Sequence, residues 1–266
     1  MSSPQNEFAK TLKALHQPGN PVVLTNVWDA ISARTVASIP ETKAIATASY
    51  AVAAAAGLQD EDLTLEVEIA AVRAIAPVAR EFNKPLTVDF QDGFGERLEE
   101  GLRAIIKAGA VGINLEDYGR ELSDGKGGLY DVSVAQDRIQ RVLKIAAEEG
   151  VPDFVINART DALLEGRPLS EAIERGKAFL AAGAHNVFIW GGRARGGWSR
   201  QEVEEASKAL GGRLNVSLRR VVSGGLTVQE LSDIGVARIS VGPQLMQRTQ
   251  AAVAEEIASI LRSDKV

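Results

Sequence analysis

Lys107-Ala108-Gly109-Ala110 runs straight into Val111-Gly112-Ile113-Asn114-Leu115-Glu116, an apolar helix end, a glycine, and then an apolar run that stops on a carboxylate. Glycine at that point suits the left-handed cap that ends a helix. The same phrase returns at Ala181-Ala182-Gly183-Ala184, just before Asn186–Trp190. Working outward gives eight short apolar runs: Pro21–Asn26, Lys43–Ala48, Pro85–Phe90, Val111–Glu116, Asp153–Ala158, Asn186–Trp190, Arg213–Ser217 and Val236–Val241. Each is apolar along nearly its whole length, the pattern of strands covered on both faces of a parallel sheet. Helix-patterned segments separate them at Asp29–Ser38, Thr64–Phe82, Glu96–Ala108, Val132–Glu149, Leu169–Ala182, Ser199–Leu210 and Thr227–Ile234, with a last one at Gln244–Arg262. Eight β/α units predict an α/β protein of the (β/α)8 TIM-barrel class in one domain spanning residues 1–266. A doubly wound open sheet is the rival, but the first strand is not followed by a dinucleotide-type glycine fingerprint.

Composition narrows the chemistry. The 266 residues are 45% hydrophobic and 24% charged, with a net charge of -5, a pI near 5.3 and a mean hydropathy of -0.03. A general nucleic-acid or anionic-membrane binder needs a cationic footprint, so neither partner is expected. There is no cysteine, which excludes disulfides, thiolate metal sites and cysteine nucleophiles. His16 and His185 are the two histidines, too few for a histidine cage. Met1–Lys10 lacks a signal-peptide layout, no apolar run is long enough to span a bilayer, and a cytoplasmic protein is expected. Neither a Walker A pattern nor a Gly-x-Ser-x-Gly elbow occurs.

In a TIM barrel the working residues stand at the C-terminal ends of the strands and in the loops beyond them. Here those ends carry Asp89 and Asp92, Glu116 and Asp117, then Arg159 and Asp161, with Asp60, Glu61 and Asp62 in the loop after the second strand. Carboxylates gathered at one mouth repel unless a cation sits among them, and hard divalent ions take oxygen ligands. Magnesium is the natural inference, with manganese as an alternative. Asp117 and Asp62 read equally well as solvated loop acids. Asp89 and Glu116 end apolar strands, where an unpartnered carboxylate is costly. Arg159 suits capture of a substrate carboxylate, or else a structural pair with Asp89 or Glu116. Asn215 could face a substrate oxygen or a neighbouring backbone group. Arg193, Arg195, Arg219 and Arg220 make the mouth attractive to anions or are simply solvated. Trp28 and Trp190 read as packing. The glycine-rich stretch Gly119–Gly128 reads as a lid over the site or a flexible connection.

Taken in order, Asn26-Val27-Trp28-Asp29-Ala30, Ile45–Ser49 leading through an alanine-rich turn to Gly57-Leu58-Gln59-Asp60, Val88-Asp89 with Asp92-Gly93-Phe94-Gly95, Ala108–Asp117, Ile156-Asn157-Ala158-Arg159-Thr160-Asp161, Leu214-Asn215-Val216 and Gly235–Pro243 resemble the isocitrate lyase/phosphoenolpyruvate mutase superfamily, methylisocitrate lyase and oxaloacetate hydrolase included. The resemblance spans about residues 20 to 245. It implies a barrel whose last helix, within 244–266, is exchanged between subunits of a homodimer or homotetramer. It also implies a magnesium ion holding a 2-oxo acid or its enolate. Asp89 then ligates the metal, Asp60 and Glu116 act through metal-bound water, and Gln91, standing where the family has a second acid, completes the metal set. Arg159 faces the substrate, and Thr47-Ala48-Ser49-Tyr50 supply donors to its carboxylate. Asn215 joins the substrate-binding set.

The chain departs from the pattern in its lid. The lyases' Lys-x-Cys-Gly-His signature has no counterpart in Asp117-Tyr118-Gly119-Arg120-Glu121, and Tyr118 stands where the phosphonate mutases carry a lysine. Tyr118 is the favoured replacement for the missing proton carrier, ahead of Arg120 and Lys126. The leading expectation is a magnesium-dependent lyase that cleaves a C–C bond of a small 2-hydroxy or 2-oxo (di)carboxylic acid through a metal-bound enolate. A hydrolase or phosphonomutase-type isomerase is the alternative, and a non-catalytic binding protein on the same barrel is a third.

Overall fold

The computed structural model describes residues 3–192, 195, 197–219 and 225–262; Arg193 and Arg220 lie outside the described residues. The chain runs α1 (Pro4–Leu15), β1 (Val22–Leu24), β2 (Asn26–Val27), α2 (Ala30–Ala37), β3 (Ile45–Thr47), α3 (Ser49–Ala55), α4 (Leu65–Glu81), β4 (Leu86–Asp89), α5 (Leu98–Ala108) and β5 (Gly112–Glu116). It continues with β6 (Tyr118–Gly119), α6 (Leu122–Gly125), β7 (Gly128–Leu129), α7 (Val132–Glu148), β8 (Val155–Thr160), α8 (Leu169–Ala181), β9 (Asn186–Ile189), α9 (Arg200–Ala209), β10 (Leu214–Ser217), α10 (Val228–Ile234), β11 (Arg238–Ser240) and α11 (Gln244–Leu261).

The main sheet has the order β1-β11-β10-β9-β8-β5-β4-β3-β2. β1 and β2 are consecutive halves of one strand, and they pair in parallel with the last strand and the second strand respectively. The sheet therefore closes on itself. All eight expected strands are present, each covered outside by a helix, as the apolar runs require. β5 is buried over its full length, and its register with β8 sets Asn114 beside Asn157 and Glu116 beside Arg159. Alternation along each strand then turns these four side chains inward together.

Two helices were not anticipated. α1 has the start of a well-capped helix, because Ser3 Oγ accepts from the Asn6 amide and proline occupies the first turn. It lies across the N-terminal end of the barrel, so close that a Cβ on Gly112 would stand 2.9 Å from Leu12 and 2.8 Å from the Val155 carbonyl. The alanine-rich stretch after the second strand is not a turn but α3, whose Ala51, Val52 and Ala53 are buried. Alanine's high helix propensity is the physical reason.

α11 departs from the barrel. Met246 is its one buried residue among those described, while Val253, Ile257, Ile260 and Leu261 are exposed. The Gly119–Gly128 segment forms a small antiparallel hairpin of β6 and β7 around the short α6. No helix among the described residues is long and apolar enough to cross a membrane.

Candidate active site

A cavity of about 590 Å3 opens at the C-terminal ends of the strands. Its lining brings together Thr47, Ala48, Ser49, Tyr50, Asp60, Asp89 and Arg159 of the expected set. Asp89 ends β4 and is held from three sides. Its backbone amide donates to Thr47 Oγ1 at 2.8 Å, Oδ2 accepts from the Ser49 amide at 3.0 Å, and Oδ1 accepts from Asn114 Nδ2 at 2.9 Å. Each carboxylate oxygen thus has one donor and keeps a further lone pair.

Asn114 is itself part of a chain of amides across the barrel. Asn157 Nδ2 donates to Asn114 Oδ1 at 2.8 Å, and Asn186 Nδ2 donates to Asn157 Oδ1 at 2.9 Å. The four side chains share one row of the sheet, since Asp89, Asn114, Asn157 and Asn186 are register partners in turn. Inward-facing alternation in β5, β8 and β9 is the sequence signal for this belt.

Arg159 is fixed between two acids. Its Nη1 donates to Glu116 at 2.6 Å, while Nε and Nη2 reach both oxygens of Asp161 at 2.6 and 2.8 Å. The guanidinium also stacks 4.1 Å over Trp190. Burial opposes its charge, yet Asp161 and Glu116 hold its pKa above the ordinary value. For Glu116, burial is the larger influence and pushes its carboxyl well up, with Arg159 pulling it back. Burial likewise raises Asp161 against the pull of Arg159. Glu116 lies behind Arg159 rather than on the cavity wall, among Leu115, Asp117 and Ala135.

Gln91 sits at φ +49° and turns its amide toward Asp60, donating to the Asp60 carbonyl at 2.9 Å and to Oδ1 at 3.1 Å. Arg120 from the hairpin donates to the same carbonyl at 2.9 Å. The loop carrying Asp60 is therefore held from below by Gln91 and from the lid side by Arg120. Tyr118 does not join the cavity wall; its hydroxyl lies 3.4 Å from the Lys126 carbonyl. Asn215 is buried and paired with Ser240, a neighbouring side chain, at 3.0 Å. Asp117 accepts from Arg175 Nε at 2.7 Å and from the Asp161 amide at 2.9 Å, so it braces the loop rather than facing the cavity. Asp92 caps the amides of Phe94 and Gly95 and accepts from Tyr130.

Glu68 was not anticipated. It is fully buried, and neither carboxylate oxygen has a hydrogen-bond partner. Burial first, then the charges of Asp89 and Asp60, push its carboxyl well above the usual range. The signal was an acid inside the apolar stripe Leu65, Val72, Ile75 and Ala79 of α4. Such a carboxyl, next to two others, marks this side of the cavity as a place short of positive charge.

The residues fit magnesium in one particular way. Among the described residues, no three His, Asp or Glu side chains come close enough to hold an ion by themselves. Asp60, Glu61 and Asp89 all line the cavity. That arrangement suits an ion that keeps most of its waters and takes one or two carboxylates, which is magnesium's habit.

A family model described as phosphoenolpyruvate phosphomutase matches residues 12–261. The chain belongs to the phosphoenolpyruvate phosphomutase family. Relatives of this phosphomutase family include the 2-methylisocitrate lyase of Escherichia coli, 35% identical over 137 residues, a match covering 50% of this chain and 45% of the lyase. Among solved structures, a putative phosphonomutase from Burkholderia cenocepacia is 34% identical, with a TM-score of 0.82 over 97% of this chain and 99% of its own. A phosphonopyruvate hydrolase, solved with oxalate and magnesium, shares the fold at a TM-score of 0.81 and 23% identity, covering 99% of this chain and 88% of its own. The TIM barrel is thus the fold of the phosphomutase family as well as of this chain.

Proposed function

We propose that the protein is a magnesium-dependent lyase that cleaves a C–C bond of a small 2-hydroxy or 2-oxo (di)carboxylic acid. The C2 hydroxyl of a hydroxy acid gives up its proton and becomes the carbonyl of a 2-oxo acid, while the electron pair of the broken bond leaves on the other fragment as an enolate that then takes up a proton. The observation that carries the reading is Asp89, ending β4 in the cavity with both oxygens held by donors. Each oxygen accepts one hydrogen bond and keeps a further lone pair, which a hard cation can take. Magnesium, when bound, supplies a Lewis acid that draws electron density toward the oxygen on C2. Asp89 would hold it directly, with Asp60 acting through water, while Glu116, expected to act there too, is turned to Arg159 instead.

The chain's own residues supply orientation and charge. Arg159, immobilised by Glu116 and Asp161, presents a fixed positive face over Trp190 toward a developing oxyanion. Its partners prevent it from swinging away, so little reorganisation accompanies charge development. Thr47, Ala48, Ser49 and Tyr50 form the wall that meets the substrate carboxylate. Arg120 ties the hairpin to the Asp60 loop at the edge of the cavity. Because Tyr118 points to Lys126, proton transfer to the enolate carbon falls to water or to a cavity-wall group rather than to Tyr118.

Product analysis tests the reaction. Substituted malates and citrates incubated with enzyme and magnesium are expected to yield a 2-oxo acid together with a second carbonyl or carboxylate fragment. Inorganic phosphate from a phosphonate, or oxalate plus acetate from oxaloacetate, would replace the lyase by a hydrolase.

The proposal extends to assembly. The exposed apolar side chains of α11 form the surface through which two or four copies exchange this helix. Sedimentation at micromolar concentration is expected to show a dimer or tetramer, and a monomer on removal of 244–266; a monomeric full chain overturns the exchange.

A further inference from the structure

Arg159 meets Glu116 and Asp161, and Arg175 meets Asp117, whereas Arg138 is held by the backbone carbonyls of Asp92 and Gly95. Arg238 meets no carboxylate among the described residues. It lies on β11, 3% exposed, and contributes to the cavity wall. Its Nε has no partner, and its Nη1 lies 3.5 Å from His16 Nε2. His16 is no counter-charge. Its Nδ1–H donates to the Leu12 carbonyl at 2.7 Å, leaving Nε2 as an acceptor, and burial pushes its pKa down to about 3, so the ring is neutral. Burial also pulls Arg238 down to about 10, with Asp89 as the opposing charge. A guanidinium removed from water without an anion costs several kcal/mol (order of magnitude).

The cavity therefore holds charge of both signs. Its lining carries the acids Asp60, Glu61 and Asp89 together with the cations Arg159, Arg195, Arg219 and Arg238. Thr87 Oγ1, buried and unpartnered, also lines the cavity and offers a hydroxyl donor. The volume of about 590 Å3 exceeds what a two-carbon acid fills. We propose that Arg238 is the anchor of a second anion subsite at the inner end of the cavity, which takes the carboxylate of the substrate remote from the reacting C2. The substrate is then a dicarboxylic acid with one acid group at the metal site and the other facing Arg238. This rests on the lyase reading for the identity of the ligand, but the anion subsite itself does not need it.

Two measurements separate the two. Crystals of chelator-treated protein soaked in bromide are expected to show an anomalous peak beside the Arg238 guanidinium, lost in Arg238→Gln and kept in Arg238→Lys. In the presence of magnesium, calorimetric titration compares oxalate, which is too short to span the cavity, with tartrate, which has a remote carboxylate. Arg238→Gln is expected to weaken tartrate by about tenfold or more, a change of about 1.4 kcal/mol, and oxalate by less than about twofold. Arg238→Lys, which preserves the charge if the glutamine variant fails to fold, is expected to retain most of the tartrate affinity. No bromide at Arg238, or equal weakening of oxalate and tartrate, overturns the subsite. Bromide at Arg238 with no magnesium-dependent binding of either acid to the wild type would leave the subsite standing and remove the lyase reading.

Discussion

Asp89→Asn is expected to abolish magnesium-dependent binding of oxalate, a planar mimic of a 2-oxo acid enolate. The change removes one full charge from the cavity that Asp60 and Glu61 also line. It also faces an amide toward two donors. Asn114 Nδ2 and the Ser49 amide both point at the side chain, and an asparagine can accept from one while its own NH2 opposes the other. Charge loss and a mispaired donor act in the same direction. Affinity should fall by more than about a hundredfold, beyond the ten- to hundredfold carried by residues that merely support a metal ligand. Calorimetry with magnesium, then with chelator, reads the effect directly. Unchanged oxalate affinity in the variant would remove Asp89 from the metal site and take the proposed function with it.

The second large effect is on stability rather than binding. Asp117→Ala leaves Arg175 buried without its 2.7 Å partner and deprives the Asp161 amide of its acceptor. Breaking a buried pair from one side typically costs about 3–5 kcal/mol. For a chain of this size that corresponds to a fall in melting temperature of roughly 10 °C. Thermal and urea denaturation should agree. The double variant Asp117→Leu/Arg175→Met is expected to recover much of the loss, because it removes both charges together. A single variant as stable as wild type would show that Arg175 finds water instead. Asp117 and its neighbour Glu116 thus separate cleanly: one braces the loop, the other backs Arg159.

The barrel was legible because each strand is buried on both faces and therefore apolar throughout, with Gly109 and Gly183 marking helix ends. α1 escaped notice because no strand precedes it, although Ser3 and Pro4 are a clear helix start. At the site, Asp89 and Arg159 stood out because a charge at the end of an apolar strand is conspicuous. Gln91 was taken as a metal ligand, but which way its side chain turns depends on a left-handed backbone that sequence does not reveal. Tyr118 stands where the mutases carry a lysine, but position in the chain says nothing about where a hairpin points its side chains. Glu68 and Arg238 were missed for a common reason. Each is a charge inside an element read as core, and only the folded arrangement shows that neither has an opposite charge beside it.

The belt of amides behind Asp89 has a sense of direction. Asn186, Asn157 and Asn114 each give a hydrogen to the next residue's oxygen, and the last gives to the carboxylate. An isolated row of asparagines could run either way round, its two orientations equal in hydrogen-bond count. The single negative charge at one end breaks that tie, so one side chain on β4 dictates how three others on β5, β8 and β9 are turned. In a protein with the charge removed, the row has no preferred heading, and the interior of four neighbouring strands loses its polarity along with the site at its end.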